Sequence, residues 1–215
     1  TSVQPDMSRD YDVDQQIPEL IGKMAEMTVG MVTESVDAFV KRDLDLCRKV
    51  IDDDDQVDDA FNRIKEELAE LMYQNLDAKA GLDLLMTAKY MERIGDQADD
   101  IAEITKFIKM DELESKLHLK EMAKASIGMV TDSVESFVKK DLELAKQIAG
   151  EDDKVDALFL KVKQELIDLL KKDQIDGELC LDILMIAKYL ERIGDHAVNI
   201  SEWVQYSITG IHSHA

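Results

Sequence analysis

Apolar residues recur every three or four positions through most of the chain, which is the spacing of an amphipathic helix. Six stretches carry this pattern, and short polar segments separate them. The predicted helices span about 17–40, 44–73, 78–108, 112–139, 142–171 and 177–208. Asp43 and Asp141 precede the second and fifth stretches, where an N-cap residue is expected. The pattern therefore predicts an all-α fold of long antiparallel helices.

The second half of the chain repeats the first. The phrase AKYMERIGD at 88–96 returns as AKYLERIGD at 187–195, and earlier segments match at nearly the same offset. A repeat of this length indicates two copies of one structural unit, here a three-helix bundle. The expected organisation is a flexible N-terminal lead over 1–16, tandem bundles over 17–109 and 110–208, and a C-terminal tail over 209–215.

Charge and composition exclude several kinds of partner. The net charge is −21, so neither nucleic-acid binding nor direct docking on anionic lipid is expected. No apolar run is long enough for a transmembrane helix. Cys47 and Cys180 do not occupy corresponding positions of the repeat, which favours free thiols in a reducing compartment. We expect a soluble cytoplasmic protein whose partners are cations or basic protein surfaces.

The repeated phrase places two acids four residues apart in each half. On a helix this spacing brings like charges to one face and costs about 0.2–0.5 kcal/mol per pair. A second acid pair lies on each preceding helix. Antiparallel packing turns the flank with this pair toward the first pair, and both pairs lie at nearly the same distance from the turn that joins the two helices. Four carboxylates per half are therefore predicted to converge in one seam: Asp54, Asp58, Glu92 and Asp96, then Asp152, Asp156, Glu191 and Asp195.

A bound cation would explain why an unfavourable arrangement occurs twice. Ionised carboxylates repel one another, and oxygen-only ligands favour hard cations such as Mg²⁺, Ca²⁺, Mn²⁺ or iron. The alternative is a solvated acidic face that the lysines and arginines of the repeated phrase neutralise. Gly30 and Gly128 are candidates for close backbone approach at the seams. His196 aligns with Gln97, so we expect a surface residue or a neighbour of the ligands.

No enzyme signature accompanies these acids. The chain has no Gly-rich phosphate loop, no nucleophile with a positioned histidine and no zinc-ligand spacing. It also lacks the Glu-x-x-His pairs of ferritin-like di-iron proteins. The sequence therefore favours a protein that is not an enzyme.

The ERIGD segments at 92–96 and 191–195 resemble the signature of the PhoU family, and the D-x-x-V-D segments at 54–58 and 152–156 fit its second motif. The resemblance covers about 18–208 and includes the duplicated three-helix plan. It implies iron or zinc clusters on the eight carboxylates in some members of the family. Pro18 departs from the family pattern, because members usually have a longer first helix there.

The resemblance also implies a function. It implies a cytoplasmic, often homodimeric, negative regulator of the phosphate-starvation response. Such a protein couples the ATPase of a phosphate ABC transporter to a sensor histidine kinase. Two alternatives stay open: an accessory protein of a low-affinity phosphate permease, and a carboxylate-metal hydrolase or oxidase.

Overall fold

A computed structural model describes residues 8–74, 77–108 and 117–211. Within these ranges every regular element is an α-helix, and there are six of them. The helices are α1 (Ser8–Lys41), α2 (Leu44–Tyr73), α3 (Ala78–Thr105), α4 (Leu119–Lys139), α5 (Leu142–Lys171) and α6 (Gly177–Thr209). The all-α prediction is confirmed.

The helix ends differ from the prediction at three places. α1 begins at Ser8, so the predicted start at 17 is wrong and the helix enters the segment expected to be a flexible lead. It continues through Pro18 because this residue is exposed, and water can bind the carbonyl group that proline leaves without a partner. α3 ends earlier and α4 begins later than predicted. Residues 109–116, which include the predicted boundary between the bundles, lie outside the described residues, as do 1–7 and 212–215.

Aspartate side chains cap the start of four helices. Asp43 and Asp141 each accept a hydrogen bond from the backbone N–H three residues later, at 3.0 Å in both cases. Both predicted N-caps are therefore confirmed. Asp77 and Asp176 cap α3 and α6 in a similar way. The caps satisfy N–H groups that the first turn of a helix leaves unpaired, and they start corresponding helices at corresponding points.

The helices form two three-helix bundles that pack against each other. α1, α2 and α3 surround one core, and α4, α5 and α6 surround the other. Equivalent residues are buried in both, for example Met31 and Met129, or Val57 and Val155. α3 and α6 pack together extensively and join the bundles, and α1 also touches α4. The two helices that carry the repeated phrase therefore lie at the centre of the molecule.

Two further sequence expectations concern the thiols and the membrane. Cys47 is buried and Cys180 is half-buried, and both are free thiols, as the sequence predicts. In the described part of the chain, no helix has a stretch long and apolar enough to cross a membrane.

Candidate metal centre

Each carboxylate seam lies where two helices meet at the edge of a core. α2 buries Val50, Val57 and Phe61, and α3 buries Met91 and Ile94. The acids of both helices lie next to these buried stripes in the sequence. The apolar packing therefore holds the acids at the border between core and solvent, where their charges are only partly hydrated.

Three of the four predicted acids come together in each half. Within each group of three, one carboxylate oxygen per residue lies within 4.8 Å of the other two. The groups are Asp54, Asp58 and Asp96 in the first half and Asp152, Asp156 and Asp195 in the second. Each group could hold a metal ion.

The fourth predicted acid of each half lies beside its group and is paired with a lysine. Lys89 Nζ donates a hydrogen bond to Glu92 Oε2 at 2.7 Å, and Lys188 Nζ forms an ion pair with Glu191 Oε2 at 2.5 Å. The glutamate side chains are only 12% and 14% exposed. The sequence presents two alternatives, acids that converge and acids that lysines neutralise. In the structure both occur together in each half. The role of the eight acids as metal ligands stays a prediction.

Burial and mutual repulsion disfavour the ionised form of the clustered aspartates. Burial, then repulsion from Asp96, raises the pKa of Asp54 to about 7. Burial, then repulsion from Glu92, raises the pKa of Asp96 to about 7. In the second half, burial and neighbouring carboxylates raise the pKa of Asp152 and of Asp195 to about 6. A cation would favour the ionised forms and offset the repulsion.

The seams also contain buried oxygen atoms that lack a partner. Asp54 Oδ1 and Asp152 Oδ1 have no hydrogen bond within the described ranges, and buried polar atoms in folded proteins are normally satisfied. The glycine of the repeated phrase leaves space beside each atom. A Cβ on Gly95 would lie 3.5 Å from Asp54 Oδ1, and one on Gly194 would lie 3.7 Å from Asp152 Oδ1. The residues present therefore fit a hard cation with oxygen ligands.

Gly30 and Gly128 do not contribute to the seams. A Cβ added to either glycine would meet no heavy atom within 4 Å, apart from its own helix and neighbours. The prediction that they allow close backbone approach is therefore wrong. Gly95 and Gly194 are the glycines beside the carboxylates, and their place inside the repeated phrase is a signal that could have identified them.

One half-buried acid beside the first seam is missing from the predicted ligands. Asp99, on α3, has a buried Oδ1 without a hydrogen-bond partner among the described residues. Burial, then repulsion from Glu103, raises its pKa to about 6. The corresponding residue of the second half is Val198, so the duplication does not mark Asp99 as part of a repeated site. Its position three residues after Asp96, which places both acids on one face of α3, is the available signal.

His196 lies between the two bundles and belongs to neither group of acids. Its ring packs against Tyr90 of the other half, with the ring centroids 5.9 Å apart. Burial, then repulsion from Arg93 and Arg192, lowers the pKa of His196 to about 4. The first of the two expectations, a surface residue, does not hold, because the packing of α3 on α6 half-buries this side chain. The second, a neighbour of the ligands, stays a prediction.

Comparison with known proteins relates both halves to one family. The sequence model of the PhoU domain matches residues 21–105 and 119–204. A PhoU homologue from Rhizobium meliloti, named a phosphate-specific transport system accessory protein, is 30% identical over 196 residues, covering 88% of this chain and 83% of the relative. PhoU homolog 1 of Thermotoga maritima, named in the same way, is 28% identical over 196 residues, covering 88% and 84%. These names describe accessory proteins and not enzymes, in agreement with the sequence prediction.

Solved structures share the fold. The crystal structure of PhoU from Pseudomonas aeruginosa has a TM-score of 0.86 at 24% identity and covers 94% of this chain and 99% of that one. The phosphate transport system regulatory protein PhoU from Streptococcus pneumoniae has a TM-score of 0.87 at 22% identity, with coverage of 96% and 99%. The similarity includes both bundles and their packing.

Proposed function

This chain belongs to the PhoU family, and on that premise we propose that it is an accessory protein of a phosphate-specific transport system. The matching of both halves to the PhoU domain and the names of the relatives support this role. In the finer form of the proposal, the protein is a cytoplasmic negative regulator of the phosphate-starvation response. It acts by binding other proteins, namely the transporter ATPase and a sensor histidine kinase, and it forms a homodimer.

The proposal includes metal binding at both carboxylate seams. The observation that carries it is the recurrence of three aspartates with oxygen atoms within 4.8 Å at equivalent places in the two halves. The residues that would hold the ions are Asp54, Asp58, Glu92 and Asp96 in the first half and Asp152, Asp156, Glu191 and Asp195 in the second. A bound ion would supply positive charge that holds α2 to α3, or α5 to α6. Oxygen ligands favour iron, Mn²⁺, Mg²⁺ or Ca²⁺, and zinc is the further candidate from the family resemblance.

Basic protein surfaces are the partners that the charge favours. The chain carries a net charge of −21, so long-range attraction speeds association with positively charged surfaces and opposes association with acidic ones. Metal ions in the seams would reduce the negative charge at two defined places on α2–α3 and α5–α6. We propose that metal occupancy thereby alters which protein surfaces the regulator contacts.

A gene deletion in the source organism tests the regulatory role. Loss of the protein should leave the phosphate-starvation response switched on when phosphate is plentiful, measured with a reporter for a starvation-induced promoter. The wild-type gene supplied in trans should restore repression. Normal signalling together with altered bulk phosphate uptake would instead indicate an accessory protein of a low-affinity permease.

Elemental analysis and melting of the purified protein test the metal sites. Wild-type protein should contain metal, and its melting temperature should fall on treatment with a chelator. The variant Asp58→Asn/Asp96→Asn/Asp156→Asn/Asp195→Asn should contain little metal and melt at the same temperature with or without chelator. A control variant that neutralises four exposed acids outside the seams, Asp45, Glu66, Glu143 and Glu178, should behave like wild type. Equal metal content and equal chelator response in all three proteins would refute metal binding at the seams.

A further inference from the structure

A lysine lies beside each carboxylate seam at the same position of the repeated phrase. Lys89 Nζ contacts Glu92 Oε2 at 2.7 Å, and Lys188 Nζ contacts Glu191 Oε2 at 2.5 Å. The two lysine side chains are 35% and 38% exposed, so each ammonium group lies at the rim of its seam, partly in contact with water. The same pairing in both halves indicates a feature of the repeated site and not an isolated surface ion pair.

The clustered aspartates have no comparable cation of their own. Within the described ranges, no lysine, arginine or histidine nitrogen lies within 4.0 Å of the oxygens of the aspartates at the seams, Asp54, Asp58, Asp96, Asp152, Asp156 and Asp195. The charge of Lys89 nevertheless favours the ionised forms of Asp58 and Asp96. Lys188 acts in the same way on Asp156 and Asp195. Each lysine therefore offsets part of the repulsion of its seam, which is the electrostatic effect expected of a bound cation.

Each lysine ammonium group also lies near a phenylalanine ring, whose face attracts positive charge. Lys89 Nζ lies 5.2 Å from the centroid of the Phe61 ring on α2, and Lys188 Nζ lies 5.3 Å from that of Phe159 on α5. These distances are within the range of cation–π attraction. An ammonium group displaced from the glutamate by an incoming metal ion can therefore stay over the ring.

We propose that Lys89 and Lys188 are built-in counter-ions of the carboxylate seams, which compete with metal ions for Glu92 and Glu191. The inference rests on the metal binding included in the proposed function. The lysines stabilise the metal-free protein and lower the metal affinity, because a bound cation must overcome their repulsion and free the glutamate oxygens. A glutamate then exchanges a lysine for a metal ion, and the lysine moves toward the phenylalanine ring.

Calorimetric titration of the full chain with Mn²⁺ tests the competition. Lys89→Met/Lys188→Met keeps an unbranched side chain of similar length, one atom shorter than lysine, and removes its charge. This variant should bind Mn²⁺ about three- to tenfold more tightly than wild type, since a partly exposed charge pair contributes on the order of 1 kcal/mol. Its metal-free form should melt at a lower temperature. Lys89→Met alone should tighten binding in the first half only.

Lys65→Met is the matched control. Lys65 Nζ lies 4.8 Å from the centroid of the same Phe61 ring, but no ion pair within 4.0 Å joins it to an acid among the described residues. This variant removes one positive charge near the same ring, and its Kd for Mn²⁺ should lie within twofold of the wild-type value. Lys89→Gln/Lys188→Gln provides a second pair of substitutions that removes the charge, and it should also bind Mn²⁺ more tightly than wild type. Its helicity and a cooperative melting transition test whether it is folded.

The possible results distinguish a failure of the lysine competition from a failure of the proposed metal binding. Mn²⁺ binding by wild type with equal or weaker binding by both charge-neutral pairs would overturn the competition and leave the metal sites standing. In that case the lysines would orient the glutamates for the metal. Failure of wild type to bind any of Mn²⁺, iron, zinc, Mg²⁺ and Ca²⁺ would refute the metal part of the proposed function, and the competition with it.

Discussion

The two carboxylate seams use the same acids at equivalent positions, yet the first seam has a further acid beside it, Asp99, where the second has Val198. In the first half the pKa of Asp54 and of Asp96 is raised to about 7. In the second half the pKa of Asp152 and of Asp195 is raised to about 6. The backbone arrangement is duplicated, whereas the accumulation of negative charge is greater in the first half. A repeated motif therefore does not guarantee two sites of equal affinity.

Asp99 accounts for part of this difference. Its carboxylate repels Asp54 and raises the pKa of that residue further. The second half has Val198 instead, and this side chain packs against the apolar core. The first seam therefore has one more half-buried acid beside it, and ionising all the carboxylates of this seam costs more free energy. A bound cation also stabilises the first seam more than the second, because the cation interacts with more carboxylates.

The largest expected effect is metal-dependent stabilisation, measured separately for each half. Asp152→Asn/Asp195→Asn leaves only the first seam intact, and Asp54→Asn/Asp96→Asn leaves only the second. At a Mn²⁺ concentration 100 times Kd, binding at one site stabilises the folded state by about 2.7 kcal/mol. The variant that keeps the first seam should bind more tightly and show the larger rise in melting temperature. An equal rise in both variants would show that Asp99 does not affect metal binding.

A reciprocal exchange of the residue that distinguishes the seams should have the next largest effect. In metal-free protein, Val198→Asp buries a charge among carboxylates and should destabilise the fold by about 1–3 kcal/mol. The melting temperature should fall by roughly 2–4 °C for each kcal/mol in a chain of this size. Asp99→Val should raise it. Asp99→Asn is the control for size, and a fall in melting temperature with both Asp99 variants would contradict the proposed role of its charge.

The pH dependence should also differ between the halves. The folded-state pKa of Asp54 and Asp96, about 7, lies above the ordinary value of 3.8, so the folded protein keeps these protons to a higher pH than the unfolded chain. The stability that they contribute is fully present below pH 3.8 and is lost as the pH rises through about 7. For Asp152 and Asp195, whose pKa is raised to about 6, stability is lost in the same direction as the pH rises.

Melting of chelator-treated protein between pH 5 and pH 8 checks this dependence. Wild type should melt at a lower temperature as the pH rises. Asp54→Asn/Asp96→Asn should flatten the curve more than Asp152→Asn/Asp195→Asn, by on the order of 1–2 °C over that interval. A steeper curve for the first variant would mean that its aspartates are not the groups that titrate there.

The smallest expected difference between the halves concerns the helix caps. Asp43 and Asp141 make the same 3.0 Å hydrogen bond at equivalent positions. Asp43→Ala and Asp141→Ala should each cost about 1 kcal/mol, measured by urea unfolding. The two costs should agree within error. Unequal costs would show that the bundles differ in more than the charges of their seams.

Much of the candidate site could be predicted from local pattern. The four-residue spacing of the acids and their position beside the apolar stripe predict that Asp58 and Asp96 face each other across α2 and α3. The pattern does not separate Glu92 from the other acids, although its partner Lys89 lies only three residues away on the same helix. It also omits Asp99, since the argument relies on duplication and this residue is not duplicated.

The sequence by itself determines that there are six helices, the N-caps at Asp43 and Asp141, the duplication and the flank on which the acids lie. Each of these follows from periodicity or from contacts within a few residues. Only the tertiary structure decides which carboxylates come within 4.8 Å of one another, and that the packing of α3 on α6 half-buries His196. These features depend on desolvation and on contacts between residues far apart in the chain, which local spacing does not contain.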